Sequence, residues 1–365
     1  MDLPTDLWRK ILEKTRSIKT CDKLYNFFPN ETRVELKEAY ESHKDSITLK
    51  MVFAFNNKLA FYDSDYLKKE VPFENIMAVK FVKNWNTPIG KRDCVVVGIT
   101  NGFVMFFNST TLDYIFGFDI GTSSGNFEFH PTKSIMLSVR VELYGRQIKV
   151  WKFDENGETT NHVSFAVESL GEGKKYYYFH PLEPEIYIFA SNYSYNPYHR
   201  KLMKVFFCNY DMVSVSFSDR IHSFMYLNNY YTPLKINGDG SFECVKYEGG
   251  TNYFCHFVIS NFEIEEIEQQ AICKNSGANS VVWDFLRIGE DIYFYSNRVG
   301  DASIYKQTGD EYKIIYQTTN TISRMFHKNG FIVFVEKEEL KFVDLETLSV
   351  DVVSLGETPV DFCVM

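Results

Sequence analysis

The chain is poor in the features that mark several large classes of protein. No apolar run approaches the ~20 residues needed to span a bilayer, and the first twenty residues are charged throughout, without the apolar stretch of a secretory signal. Positive charge is in short supply: 39 Lys and Arg against 48 Asp and Glu leave a net charge of −9, the opposite of the basic footprint of a nucleic-acid binder. The 7 cysteines are scattered and odd in number. None stands in a Cys-x-x-Cys pair, and with no secretory signal the reduced thiols of a cytosolic or nuclear protein are expected.

Motifs for chemistry are missing too. The 8 histidines form no zinc-type spacing, and there is no Gly-x-Ser-x-Gly elbow. Gly171-Glu-Gly-Lys-Lys175 lacks the first glycine and the hydroxyl residue of a phosphate loop. A metal-holding propeller would need one ligand type repeated around the ring. Asp284 and Asp361 occupy equivalent positions, but Glu128, Tyr178, Phe224 and Arg324 stand at the others, too mixed for a ligand set. His130 and His180, each before a proline, read as strand-end residues that satisfy a turn. No catalytic residue, cofactor or metal is expected.

What the chain does have is aromatic residues, 33 Phe and 24 Tyr among 365, and a long-period repeat. Pro359–Met365 reads as a strand, with Val360, Phe362 and Val364 alternating against polar or small neighbours. Similar segments recur at 76–82, 125–131, 175–181, 221–227, 281–288 and 321–328. A period of ~40–50 residues is that of a propeller blade. After most of these segments come further β-branched and aromatic runs bounded by Gly, Asn and Asp, the form of antiparallel hairpins. Four runs per period make one blade. The first repeat, from residue 46, has only three runs, and the final strand fits that vacancy and removes two exposed edges. The expected fold is mainly β, a seven-bladed propeller over 46–365 closed by its C-terminal strand. Residues 221–275 hold more runs than one blade needs. Lys149-Val-Trp-Lys-Phe-Asp154 and the Phe-His-Pro units at 129–131 and 179–181 resemble a diverged WD repeat, although no repeat carries both consensus dipeptides.

Residues 1–45 differ. Leu7 and Ile11, and Trp8 and Leu12, form two i,i+4 rows, which is helical spacing. Pro4 suits a first helical position and Asp6 the positive end of the dipole. Two more short helices follow, over 21–28 and from Asn30 to about His43. A unit this small should need a partner to bury its apolar face. Its opening, Leu3-Pro4-Thr5-Asp6-Leu7 followed by Ile11-Leu12, resembles an F-box. The resemblance implies that Leu3, Pro4, Leu7, Ile11 and Leu12 face a Skp-type adaptor of a cullin–RING ubiquitin ligase, with a substrate-binding domain behind. The family's usual Cys-Lys-x-Trp-like ending is absent; Phe28-Pro-Asn-Glu-Thr32 stands there.

The loops between second and third strands of the blades should share one rim. They contain Tyr144 and Arg146, then Tyr195, Tyr198 and Arg200, then Arg298. Tyrosine offers a rigid contact at small entropic cost, and arginine a bidentate grip on carboxylate or phosphate. Three of only eleven arginines lie in such loops, so the expected target is an acidic or phosphorylated protein segment. Two functions fit: a non-catalytic substrate receptor of a ligase, or a propeller scaffold whose helices have no ligase partner.

Overall fold

The structure, a computed structural model, describes residues 5–13, 18–63, 66–121, 127–142, 145–168, 175–179, 181–182, 185–190, 201–209, 214–217, 222–224, 234–248, 251–260, 263–272, 281–298 and 301–365. Three helices come first: α1 (Thr5–Leu12), α2 (Ile18–Phe27) and α3 (Asn30–Ile47). Among the described residues no helix is long and apolar enough to cross a membrane. Among the described residues the strands that follow α3 all pair antiparallel.

The described strands form seven sheets. Sheet 1 joins the end of the chain to its beginning: Asp361–Val364 pairs with Lys50–Ala54, which is followed outward by Lys58–Asp63 and Tyr66–Pro72. Sheets 2 and 3 begin at Ile76–Trp85 and Phe127–Phe129, and sheet 4 at Lys175–Phe179. Sheets 5, 6 and 7 begin at Leu234–Ile236, Val281–Ile288 and Phe326–Lys328. Apart from the closing strand of sheet 1 and His222–Phe224 of sheet 4, consecutive strands within a sheet are neighbours, the up-and-down order of a propeller blade.

The expectation of seven regular blades is corrected here. Six sheets are four-stranded blades, and sheet 4 is five-stranded. His222–Phe224, expected to open the next blade, pairs with Lys201–Asn209 of sheet 4 instead. The first strand of sheet 5 is Leu234–Ile236, which pairs with Phe242–Glu248. A three-residue strand presents too few positions for alternation to say which sheet it joins, and pairing with the nearer Lys201–Asn209 avoids closing a longer loop.

Alternation along the strands distributes side chains between two interfaces. On Lys50–Ala54, Val52 and Ala54 pack with Val79, Val95 and Val97 of sheet 2. Met51 and Phe53 turn the other way and pack with Val333, Val335 and Leu340 of sheet 7. A strand buried on both faces reads as a nearly continuous apolar run, as Met51–Phe55 does. Sheet 2 packs on sheet 3 through Trp85, Phe106, Phe127 and Phe153. Sheet 5 packs on sheet 6 through Phe254 and Phe285, and sheet 6 on sheet 7 through Tyr295 and Phe334. His130 of sheet 3 meets Phe179 of sheet 4, ring centroids 5.5 Å apart. The last sheet thus packs on the first. Phe362 of the closing strand stacks on Phe53 at 5.3 Å and meets Phe326 of sheet 7 edge-on at 5.2 Å.

One turn requires glycine. Gly157 has φ +75°, and a Cβ there would lie 2.8 Å from Thr87 Cα. The turn of sheet 3 presses against the loop after the first strand of sheet 2, where Asn86 also donates from its backbone to Ser134 Oγ at 2.9 Å.

Candidate functional site

Two surfaces were singled out by the sequence, the N-terminal helices and the loop rim. In α1 the two apolar rows separate. Leu12 is fully buried with Cys21, Phe28 and Leu36, and Trp8 packs against them, its ring 4.8 Å from that of Phe28. Leu7 remains 42% exposed and Ile11 is half-buried. Leu12 therefore belongs to the interior of the helical unit, because four residues along from Trp8 carries it to the same inward side. Leu3 and Pro4 lie outside the described residues.

The small unit has more internal support than its length led us to expect. Tyr25 and Tyr40 stack at 3.8 Å, and Tyr40 Oη donates to Asp22 at 2.6 Å. Lys44 Nζ reaches Asp22 at 2.8 Å, and Thr5 Oγ1 donates to Glu35 at 2.7 Å, tying α1 to α3. Among the described residues no strand residue belongs to its core of four buried side chains. On this unit Phe27 is 77% and Val34 79% exposed, so apolar side chains of α1, α2 and α3 face solvent together with Leu7.

The second and third strands are Ile135–Glu142 and Gly145–Phe153 in sheet 3, Glu185–Ala190 and Lys201–Asn209 in sheet 4, and Asp291–Arg298 and Asp301–Thr308 in sheet 6; the connections between them lie outside the described residues. Arg146 lies in Gly145–Phe153, opposite Val141 and Val167. Arg298 ends its strand opposite Asp301. Tyr144, Tyr195, Tyr198 and Arg200 lie outside the described residues, as does His180.

The acidic residues of the inner strands have a role that spacing did not reveal. Asp361 accepts from Val79 N of the next sheet at 3.0 Å. Asp284 does the same across the sheet 6–sheet 7 boundary, accepting from Met325 N at 2.6 Å. Lys80 of sheet 2 pairs with Glu128 of sheet 3, and Lys235 of sheet 5 approaches Asp284 at 3.5 Å. These groups stitch neighbouring inner strands and are used up in doing so. His130 Nδ1 accepts from the amides of Thr132 and Lys133, both at 3.2 Å, which is the turn-satisfying role expected of it. Among the described residues no group of three or more His, Cys, Asp or Glu side chains could hold a metal ion.

A further polar cluster sits farther out between sheets 6 and 7. Buried Glu336 accepts from Thr318 Oγ1, from Tyr316 Oη at 2.5 Å, from Asn320 Nδ2 at 2.8 Å and from Lys341 Nζ at 2.5 Å. Burial pushes its carboxyl up, and the four donors outweigh that and bring it down to about 2. Every donor is satisfied by the one carboxylate, which makes this a structural bridge.

No family model matches the chain, and no curated protein sequence matches it. Solved structures do. A functionally unknown protein from Desulfotomaculum acetoxidans is similar with a TM-score of 0.56 at 10% identity, over 87% of this chain and 98% of that one. A candidate 6-phosphogluconolactonase from Bacteroides uniformis is similar with a TM-score of 0.56 at 11% identity, over 87% and 99%. Apo AztD from Citrobacter koseri is similar with a TM-score of 0.52 at 10% identity, over 87% and 98%. At such identities the likeness is one of fold. The fold is a β-propeller.

Proposed function

We propose that the chain is a non-catalytic substrate receptor: its N-terminal helices dock on a Skp-type adaptor of a cullin–RING ligase, and its propeller rim holds a target protein. The observation that carries this reading is the separation of the two α1 rows. Leu12 and Trp8 build the helical unit's own core, while Leu7 on the other row stays in water. Large apolar side chains left exposed on so small a helical unit support a docking role for it.

Leu3, Pro4, Leu7 and Ile11 would meet the adaptor, with Leu12 setting the position of α1 from within. Tyr144, Arg146, Tyr195, Tyr198, Arg200 and Arg298 would meet an acidic or phosphorylated segment. The mechanism is proximity: two binding events on one chain raise the effective concentration of target near the ligase. Co-elution of the full-length chain with a purified Skp-type adaptor on size exclusion supports the reading. Separate elution of two well-folded proteins contradicts it and leaves a propeller scaffold.

A further inference from the structure

We propose that Cys244 and Cys255 form a redox-responsive pair that closes into a disulfide across the two central strands of sheet 5. The strands Phe242–Glu248 and Thr251–Ser260 pair antiparallel, and their register sets Cys244 directly opposite Cys255. Directly opposed residues of such a pair have Cα atoms about 4.5–5.5 Å apart, inside the span of about 4.4–6.8 Å that a disulfide bridges. Opposed side chains also leave the sheet on the same face. The neighbouring pair on that face, Phe242 and Phe257, stacks at 5.1 Å.

Among the described cysteines no other two are opposed. Cys94 faces Val82 and Asn108, Cys208 faces Val215, and Cys363 faces Val52. The structure holds Cys244 and Cys255 as thiols, and both are fully buried. Val245 and Phe254, one position along each strand, pack on sheet 6. The two sulfurs therefore lie on the opposite face of the sheet, away from sheet 6.

The oxidant is a small-molecule disulfide of the glutathione class. One cysteine thiolate attacks it, forming a mixed disulfide and releasing one small thiol. The other cysteine thiolate attacks the protein sulfur of that mixed bond, closing Cys244–Cys255 and releasing the second small thiol. Two protein thiols are oxidised and one small disulfide is reduced; the two protons pass to the released thiolates. Because both sulfurs are buried, exchange waits on local opening of the sheet.

The full-length protein is equilibrated in oxidised-to-reduced glutathione buffers, its remaining thiols are alkylated, and it is mapped by non-reducing peptide mass spectrometry. The expected result is a peptide holding residue 244 joined to one holding 255, lighter by two hydrogens than the separate peptides. A higher Tm of the oxidised form should vanish in C244S and in C255S and persist in C94S. Should either serine variant fail to fold, the wild-type peptide map decides alone. Both thiols alkylatable at the most oxidising ratio, glutathione adducts without a cross-link, or a link to another cysteine would overturn the proposal.

Discussion

Asp361, four residues before the end of the chain, accepts a hydrogen bond at 3.0 Å from the backbone amide of Val79. The last strand is thereby tied to sheet 2 as well as to Lys50–Ala54, its partner in sheet 1. Asp284 repeats the bond to Met325 at 2.6 Å. A carboxylate that accepts from a neighbouring sheet's backbone amide joins two sheets at once.

Replacing Asp361 with alanine leaves the Val79 amide without its acceptor. The expected cost is about 1–3 kcal/mol in urea unfolding, and a similar loss for Asp284→Ala. An unchanged midpoint in both variants would show that water replaces the carboxylate at no cost.

The Glu336 bridge makes stability depend on acid. Its carboxyl lies well below the ordinary 4.5, at about 2 in the folded protein. The stabilisation it contributes is therefore complete above pH about 4.5 and is lost as pH falls toward about 2. Glu336→Gln should flatten that part of the stability curve. Lys341→Ala, which leaves the buried carboxylate without its cation, should cost about 3–5 kcal/mol at neutral pH. Both are read from denaturant midpoints across pH.

In the helical unit, buried Leu12 and exposed Leu7 should respond in opposite ways. Leu12→Ala removes a fully buried side chain and should destabilise the unit by about 2–5 kcal/mol, seen as lost helical circular dichroism at lower temperature. Leu7→Ala should leave that melting unchanged and act on binding alone.

At the rim, Arg200→Glu combined with Arg298→Glu should abolish capture of an acidic or phosphorylated target and leave adaptor binding intact. Intact capture would remove the arginines from the recognition surface.

Much of the β architecture was legible because strands buried on two faces announce themselves. Val281–Ile288 stands at the same bounds in sequence and structure, a mostly apolar run broken only by Asp284 and Arg287 and ended by a turn. His222–Phe224 was not legible as part of sheet 4, since three residues carry no period and the partner choice is non-local. The two rows of α1 were visible, but helical phase alone does not say which row faces inward; Trp8 against Phe28 decides it. Asp284 and Asp361 were visible as equivalents, yet nothing in their spacing reveals that each holds an amide of the next sheet. The rim loops were legible only as compositions of tyrosine and arginine.

The central claim rests on the face that carries Leu7 and Ile11. Calorimetric titration of a Skp-type adaptor into the full-length protein tests it most directly, with a Leu7→Ala/Ile11→Ala variant alongside. The account predicts saturable binding to the wild type and at least about a tenfold weakening in the variant, near 1.4 kcal/mol, with the melting temperature unchanged. No binding by well-folded wild type, or equal binding by the variant, would contradict it.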